Sequence, residues 1–319
     1  MIPARQITVF GGSGFIGRHL VRHLAPDGAI IRVPTRDLEK ALPLKPAGNV
    51  GQIVPVFCST RSDMSVARAI GKSDAVVNLI GIIHERGRNN FQAVHVEAAA
   101  RIARLAREEG AKSFVHMSAL GADAQSASKY ARSKAAGEQA VRTFFPDAAI
   151  MRPSLVFGPE DGFFNLFASL SRFLPVLPLI GGGGTKFQPV YVGDVASAIR
   201  TALVQREAKG RVFELGGPRV YTFRELLELI MEETGRKRVL VNVPWALAKL
   251  KATFAQMLPH PILTRDQVEL LKIDNVVRDP QAKNLRDLSI TPTALEMILP
   301  TYMDRFRAGG RLKIAGDAA

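Results

Sequence analysis

In the stretch "SKYARSKAAGE", Ser128 to Glu138, Tyr130 precedes Lys134 by four residues, and Ser118 stands twelve residues before the tyrosine. Residues four apart on a helix share a face, so the phenol and the ammonium can point at one pocket. A free tyrosine titrates near pH 10, and a neighbouring ammonium stabilises the phenolate and draws that value down. A phenol so placed can pass a proton to or from a substrate oxygen while a serine hydroxyl holds the carbonyl. Each residue also has an ordinary role: a serine ending a strand forms turns, and Tyr and Lys one turn apart occur on many surface helices. The order Ser118, Tyr130, Lys134 predicts a formed site, and whether that site turns over is a separate question.

A second group near the N-terminus says what such a site would work with. "ITVFGGSGFIGRHLVRHL" sets a β-rich run, a glycine turn and an amphipathic helix in succession, with Gly11, Gly14 and Gly17 in GxxGxxG spacing. One glycine permits the tight turn, one lets a pyrophosphate approach the backbone, and one lets helix pack on strand. The helix N-terminus adds unpaired N–H groups and positive dipole. Gly11, Gly12, Ser13, Gly14, Phe15, Ile16 and Gly17 are therefore the candidate dinucleotide turn. At the end of the next β-run, "RVPTRDLEK" puts Arg36 where a ribose 2'-hydroxyl would meet a carboxylate. A guanidinium there suits a 2'-phosphate, which favours NADP(H) over NAD(H). Asp37 remains the alternative ribose partner, with Arg36 and Lys40 then a solvated face. Lys134 can also bond the nicotinamide ribose hydroxyls, a role useful with or without catalysis.

These residues need a scaffold, and the first half of the chain alternates short β-rich runs with helical patterns. Expected strands are residues 7–10, 29–34, 51–57, 74–81, 113–119, 148–157 and 211–217, with helical stretches such as "FQAVHVEAAARIARLAREEG", closed by Gly110, between them. That rhythm predicts an α/β, Rossmann-type, doubly wound parallel sheet. The nucleotide domain spans 1–157 and is completed by about 190–217. Residues 158–189 and 218–319 form a smaller, mainly helical C-terminal lobe, partly covering the carboxyl edge of the sheet, with a basic extension. In that lobe Gly181 to Gly184 predict a mobile loop. Thr222 and Glu225 have capping-box spacing, and Gly235 suits a helix stop.

The 319 residues carry 43 Lys and Arg against 29 Asp and Glu, a formal charge of +14. Such a balance predicts an anionic neighbour and says nothing about fold. Zinc-finger spacing and aromatic RNA-binding signatures are missing, so nucleic acid is not expected. The single cysteine, Cys58, excludes an intrachain disulfide and reads as a small core residue. His19, His84 and His116 lack metal-ligand spacing, so no metal is expected. No apolar run reaches membrane-span length and no leader precedes "QITVF", so the chain is expected to face the cytosol, soluble or peripherally attached. In "GRKRVLVNVPWALAKLKATFAQMLPHP", Leu247, Leu250, Phe254 and Leu258 recur at helical spacing beside Trp245 and five bases. A core-facing helix with a solvated basic face is the favoured reading, and a docking surface for anionic phospholipid or a larger assembly is the sharper one.

"GGSGFIG", "NLIG" (Asn78 to Gly81), Ser118, "YARSK" and "MRPSLVFGPED" together resemble the short-chain dehydrogenase/reductase superfamily, in its extended or atypical branch related to NAD-dependent epimerase/dehydratases. The resemblance implies cofactor contacts from Leu79, Ile80, Gly81, Ser118, Tyr130, Lys134 and Pro153. One departure is His95 in "AVHVEAAA", where reductases of the superfamily commonly carry an asparagine tied to proton relay. The preferred reading of His95 is a satisfied helix residue. A closer likeness runs through "FNLFASLSRFLPVLPLIGGGGTKFQPVYVGDVASAI" and "LTRDQVELLKIDNVV". These segments are similar to the nucleotide-binding accessory subunits of respiratory complex I (NADH:ubiquinone oxidoreductase) and their bacterial relatives. That likeness implies a tightly held NADPH away from the electron path and a structural or assembly role among complex I subunits. It also implies a peripheral position on the cytoplasmic side of the inner membrane. A free NADPH-dependent reductase, epimerase or dehydratase using Ser118, Tyr130 and Lys134 remains the alternative, and a nucleotide-gated redox sensor is a third reading.

Overall fold

The computed structural model describes residues 5–256, 258, 261–278 and 282–307. Six strands of the first half, β1 (Gln6–Phe10), β2 (Ile30–Thr35), β3 (Ile53–Phe57), β4 (Ala75–Asn78), β5 (Ser113–Met117) and β6 (Ala149–Pro153), join β7 (Val212–Leu215) in one sheet. Its spatial order is β7-β6-β5-β4-β1-β2-β3, and every pairing is parallel. A parallel sheet buries both faces, which is why β1 reads as a continuous apolar run. Its one polar interior side chain, Thr8, is satisfied by Ser73 Oγ at 2.7 Å. The strand order reverses between β1 and β4, so their carboxyl ends diverge and open a crevice there.

Helices α1 (Phe15–Leu24), α2 (Asp63–Ile70), α3 (Ala98–Glu108), α4 (Lys129–Phe144) and α5 (Val192–Ala202) flank this sheet. Val66, Ile70, Ile102, Ala106 and Val141 from α2, α3 and α4 pack with Phe10, Val76, Phe114 and Ile150 from the strands. Cys58 belongs to the same core. Arg200 of α5 forks onto the Asp27 carboxylate just beyond α1, at 2.7 and 2.6 Å. The expected strand 148–157 is two pieces: β6 stops at Pro153, and the short strand Val156–Phe157 pairs with Val190–Tyr191 in a separate ladder.

The sheet belongs to a compact unit formed by residues 5–153, 192–215 and 282–291, while described residues of 154–191, 216–278 and 292–307 form a second unit. In the second unit Phe157, Phe164, Phe187 and Phe223 share a core with Leu226, Ile230, Leu299 and Met303. Helix α6 (Phe223–Thr234) has the expected capping box between Thr222 and Glu225, and Gly235 closes it at φ +63°. Helical periodicity did not reveal the strand pair Val176–Ile180 and Val239–Val243, parallel with Val176 beside Val239. Within the run Gly181 to Gly184, Gly181 and Gly183 are packed against Trp245 and Leu179, while Gly182 and Gly184 are exposed. A Cβ on Gly181 would lie 2.0 Å from the Trp245 ring, and φ there is +60°.

Helix α7 (Trp245–Ala255) faces the core of the second unit as expected, but not through the large apolar residues whose spacing suggested it. Its buried face is Ala248 and Ala252, at 1% and 0% exposure. Leu247, Leu250, Phe254 and the following Leu258 point outward at 42%, 56%, 66% and 59% exposure. Small alanines allow the helix backbone to approach its neighbours closely, and the larger side chains are left on the opposite side.

Candidate functional site

The glycine turn joins β1 to α1 at the sheet's carboxyl edge, next to the crevice between β1 and β4. Gly11 has φ +78°, and a Cβ on it would lie 3.1 Å from the Leu79 backbone carbonyl carbon. A Cβ on Gly17 would lie 2.2 Å from the Gly11 carbonyl oxygen, so only glycine lets α1 start this close to the turn. Gly14 caps α1 without a side-chain hydrogen bond. The first-turn amides of Phe15, Ile16 and Gly17 are thus a backbone cradle for an anion, with Ser13 in the turn itself. β2 runs alongside, its Val33 methyl 2.9 Å from where a Gly12 Cβ would be.

At the end of β2, Arg36 is exposed, and no ion pair or hydrogen bond of its guanidinium is found among the described residues. Asp37 behaves differently: its carboxylate faces Lys40 at 3.5 Å, and its backbone N–H donates to Thr35 Oγ1 at 3.1 Å. The cation at this position is available and the neighbouring anion is engaged.

The loop after β4 carries Leu79, Ile80 and Gly81 from the glycine turn to α4. Ile80 N–H donates to the buried Asn78 Oδ1 at 3.1 Å, fixing the start of the loop. A Cβ on Gly81 would stand 3.3 Å from Lys134 Nζ. Helix α4 starts at an N-cap, Ser128, whose side chain accepts the Ala131 N–H. Tyr130 and Lys134 follow in its first turns, as their spacing predicts. Lys134 is 5% exposed and donates from Nζ to the Met117 carbonyl at 3.1 Å, while Nζ stands 5.8 Å from the Tyr130 ring centre. Ser118 follows β5. Its backbone N–H donates to the Met151 carbonyl at 2.7 Å, and its Oγ is buried with no hydrogen-bond partner. Pro153 ends β6 and offers its carbonyl to Leu120 N–H at 3.0 Å. Gly11, Leu79, Gly81 and Lys134 therefore form a continuous line of contacts, with Met117 and Ser118 at its far end.

Burial dominates the electrostatics. It lowers Lys134 to about 8, opposed by the Glu138 carboxylate, so the side chain is mostly an ammonium at neutral pH. Burial pushes the Tyr130 phenol up to about 12. This is opposite to the downward shift expected from a neighbouring ammonium: the cause is desolvation of the phenolate, and the ammonium is directed at the Met117 carbonyl. Burial first, and the nearby Lys134 cation second, hold His95 near 3. His116 is held near 3 by burial, then Lys134, then His95, and its Nδ1 lies 3.3 Å from Asn78 Nδ2. Both imidazoles are neutral. Among the described residues no group of three or more His, Cys, Asp or Glu side chains could hold a metal ion.

A dinucleotide fits these residues: a backbone cradle at a helix start, a spare guanidinium at the second strand, a buried ammonium, and an unpartnered buried hydroxyl. Sequence spacing found most of them. It missed the Met117 carbonyl, a backbone group without a signature, and the side-chain role of Asn78.

The fold and the glycine turn define a class, and the chain belongs to the NAD dependent epimerase/dehydratase family, whose model matches residues 7–216. NAD(P) binding is the property that goes with this family and fold. Over 315 residues the chain is 37% identical to NADH dehydrogenase [ubiquinone] 1 alpha subcomplex subunit 9, mitochondrial, of Arabidopsis thaliana, covering 95% of this chain and 78% of that one. It is also 32% identical over 244 residues to a ceramide reductase of Caulobacter vibrioides, covering 75% of this chain and 73% of the relative. A dTDP-glucose 4,6-dehydratase from Streptomyces venezuelae, solved with NAD bound, superposes with a TM-score of 0.70 at 21% identity, over 94% of this chain and 96% of that one.

Proposed function

We propose that this chain is an NADPH-binding accessory subunit of respiratory complex I, in which the nucleotide supports structure and assembly and is turned over little or not at all. The observation that carries this reading is 37% identity over 95% of the chain to a mitochondrial complex I subunit. It extends well past residue 216, where the match to the family model ends.

The site chemistry agrees. A phenol held near 12 and two imidazoles held near 3 leave no side chain among them poised to exchange protons at neutral pH. Lys134 serves retention of the nucleotide equally well with or without turnover. Arg36, lacking a carboxylate partner, supports NADPH over NADH, since a guanidinium matches a phosphate dianion in charge and geometry.

None of the described helices is long and apolar enough to cross a membrane. The outward stripe Leu247, Leu250, Phe254 and Leu258, with exposed Lys251 beside it, supports peripheral attachment to anionic phospholipid on the cytoplasmic face of the inner membrane. The test is release from native membranes under mild detergent. Migration with complex I subunits, carrying NADPH, is the expected result. A protein that stays soluble at every ionic strength and purifies alone overturns the proposal.

The second reading is a free reductase, epimerase or dehydratase. It is favoured by the likeness to a ceramide reductase and by the unpartnered Ser118 hydroxyl, which could hold a substrate carbonyl. A bound nicotinamide would supply or accept hydride there, and Tyr130 would hold the proton at the substrate oxygen.

A further inference from the structure

His95 lies in a single π-helical segment, Gln92–Glu97, that runs directly into α3. Such wide turns cost hydrogen-bond geometry and recur where one side chain must be aimed. This imidazole is 2% exposed, and both of its nitrogens are engaged. Nε2 lies 3.0 Å from the Ile82 amide nitrogen, and Nδ1 lies 2.8 Å from Ser133 Oγ. The amide can only donate, so Nε2 carries the lone pair and the ring proton sits on Nδ1. Nδ1–H then donates to Ser133 Oγ, and the Ser133 hydroxyl donates in turn to the Tyr130 carbonyl oxygen at 2.7 Å. One directed chain of hydrogen bonds thus runs from the loop after β4, through His95, to the backbone of Tyr130 in the first turn of α4.

The packing around this chain is tight. The Phe91 ring stacks on the imidazole, centres 5.3 Å apart at 22°, and the Tyr130 ring meets it edge-on at 5.5 Å. A Cβ on Gly137 would lie 2.3 Å from the His95 carbonyl oxygen, so α4 seats its backbone directly on the π segment. The Gly81 Cβ position is 3.6 Å from Nε2 and 3.3 Å from Lys134 Nζ. His95 therefore holds the one stretch of loop that lies between the glycine turn and the lysine.

We propose that His95 is a positioning residue that latches the 79–82 loop to α4, and that this latch sets how long the nucleotide stays bound. The inference rests on the nucleotide-binding reading above. A neutral ring acts here as a fixed acceptor and donor, the opposite of a proton relay, because protonating Nε2 would break the bond to Ile82. Burial, which holds the imidazole neutral, works in the same direction.

Two substitutions separate the ends of the latch. In His95→Gln the amide oxygen reaches the Nε2 position and can still accept from Ile82. In His95→Asn the amide reaches only the Nδ1 position and keeps Ser133 alone. NADPH release is followed by its fluorescence from the loaded full-length chain. His95→Gln should release within about threefold of wild type, and His95→Asn at least tenfold faster, a difference of about 1.4 kcal/mol. Ser133→Ala, which leaves the imidazole in place but unhooks its outer end, should accelerate release less than His95→Asn. Equal rates for Gln and Asn, or wild-type release from Asn, overturn the latch. Nitrogen-15 spectra of the histidine ring give a readout independent of nucleotide: the Nδ1–H neutral tautomer from pH 5 to 9 supports the assignment, and an Nε2–H tautomer or protonation near pH 6 overturns it. Wild-type protein that takes up no NAD(P)H in a titration sinks the nucleotide reading itself, while the tautomer spectrum still judges the geometry.

Discussion

Lys134 Nζ donates to the Met117 carbonyl at 3.1 Å, so the cation that could hold a nicotinamide ribose is first held by the last residue of β5, next to Ser118. Burial lowers this lysine from 10.5 to about 8. Between pH 8 and 10.5 the unfolded chain keeps the proton that the folded chain has lost, so this group's contribution to stability rises with pH across that window. Nucleotide affinity moves the other way, because an anionic ligand favours the ammonium. Affinity should fall as pH rises through about 8, and Lys134→Met should bind more weakly with that pH dependence removed. Titrations of NADPH at several pH values check both statements.

Tyr130→Phe distinguishes the two functional readings. With the phenol near 12, removing its hydroxyl should change NADPH retention by less than about twofold and leave incorporation into complex I intact. Abolition of a measured turnover would move the assignment to the enzyme, and loss of incorporation would show that the hydroxyl is needed for assembly.

Gly17→Val should abolish the nucleotide site. The first added carbon falls 2.2 Å from the Gly11 carbonyl oxygen, and forcing the helix away costs at least about 1–3 kcal/mol. The expected result is a lowered Tm and a purified protein without nucleotide. A variant as stable as wild type with full NADPH content would contradict the turn geometry.

Arg36→Ala should weaken NADPH binding by about 1.5–3 kcal/mol while leaving NADH binding nearly unchanged, since only the 2'-phosphate loses a charge-assisted partner. Isothermal titration with both nucleotides is the measurement, and a uniform loss across the two would remove Arg36 from cofactor selection.

The outward stripe of α7 makes a separate prediction. Leu250→Glu with Phe254→Glu alters side chains that are 56% and 66% exposed, so Tm should change little. Flotation with vesicles containing anionic phospholipid should nevertheless fall severalfold. Unchanged flotation would show that attachment uses another surface.

The glycine turn, the Tyr130–Lys134 pair and the strand rhythm were legible in the sequence because each depends on local geometry. One αβ turn needs glycine at fixed offsets, one helical turn brings i and i+4 together, and a buried parallel strand must be apolar throughout. Three things needed the tertiary structure. Helical periodicity in α7 shows Ala248 and Ala252 as readily as Leu247, Leu250 and Phe254, and only close packing chose the small residues for the inside. The shift of Tyr130 is set by desolvation, and burial is a property of the assembled core. His95 reads as an ordinary helix residue in "AVHVEAAA", yet a π turn and a loop thirteen residues earlier give its two nitrogens opposite tasks. Spacing fixes which residues can share a local face, whereas depth and the partner across the fold are set only when distant segments close on one another.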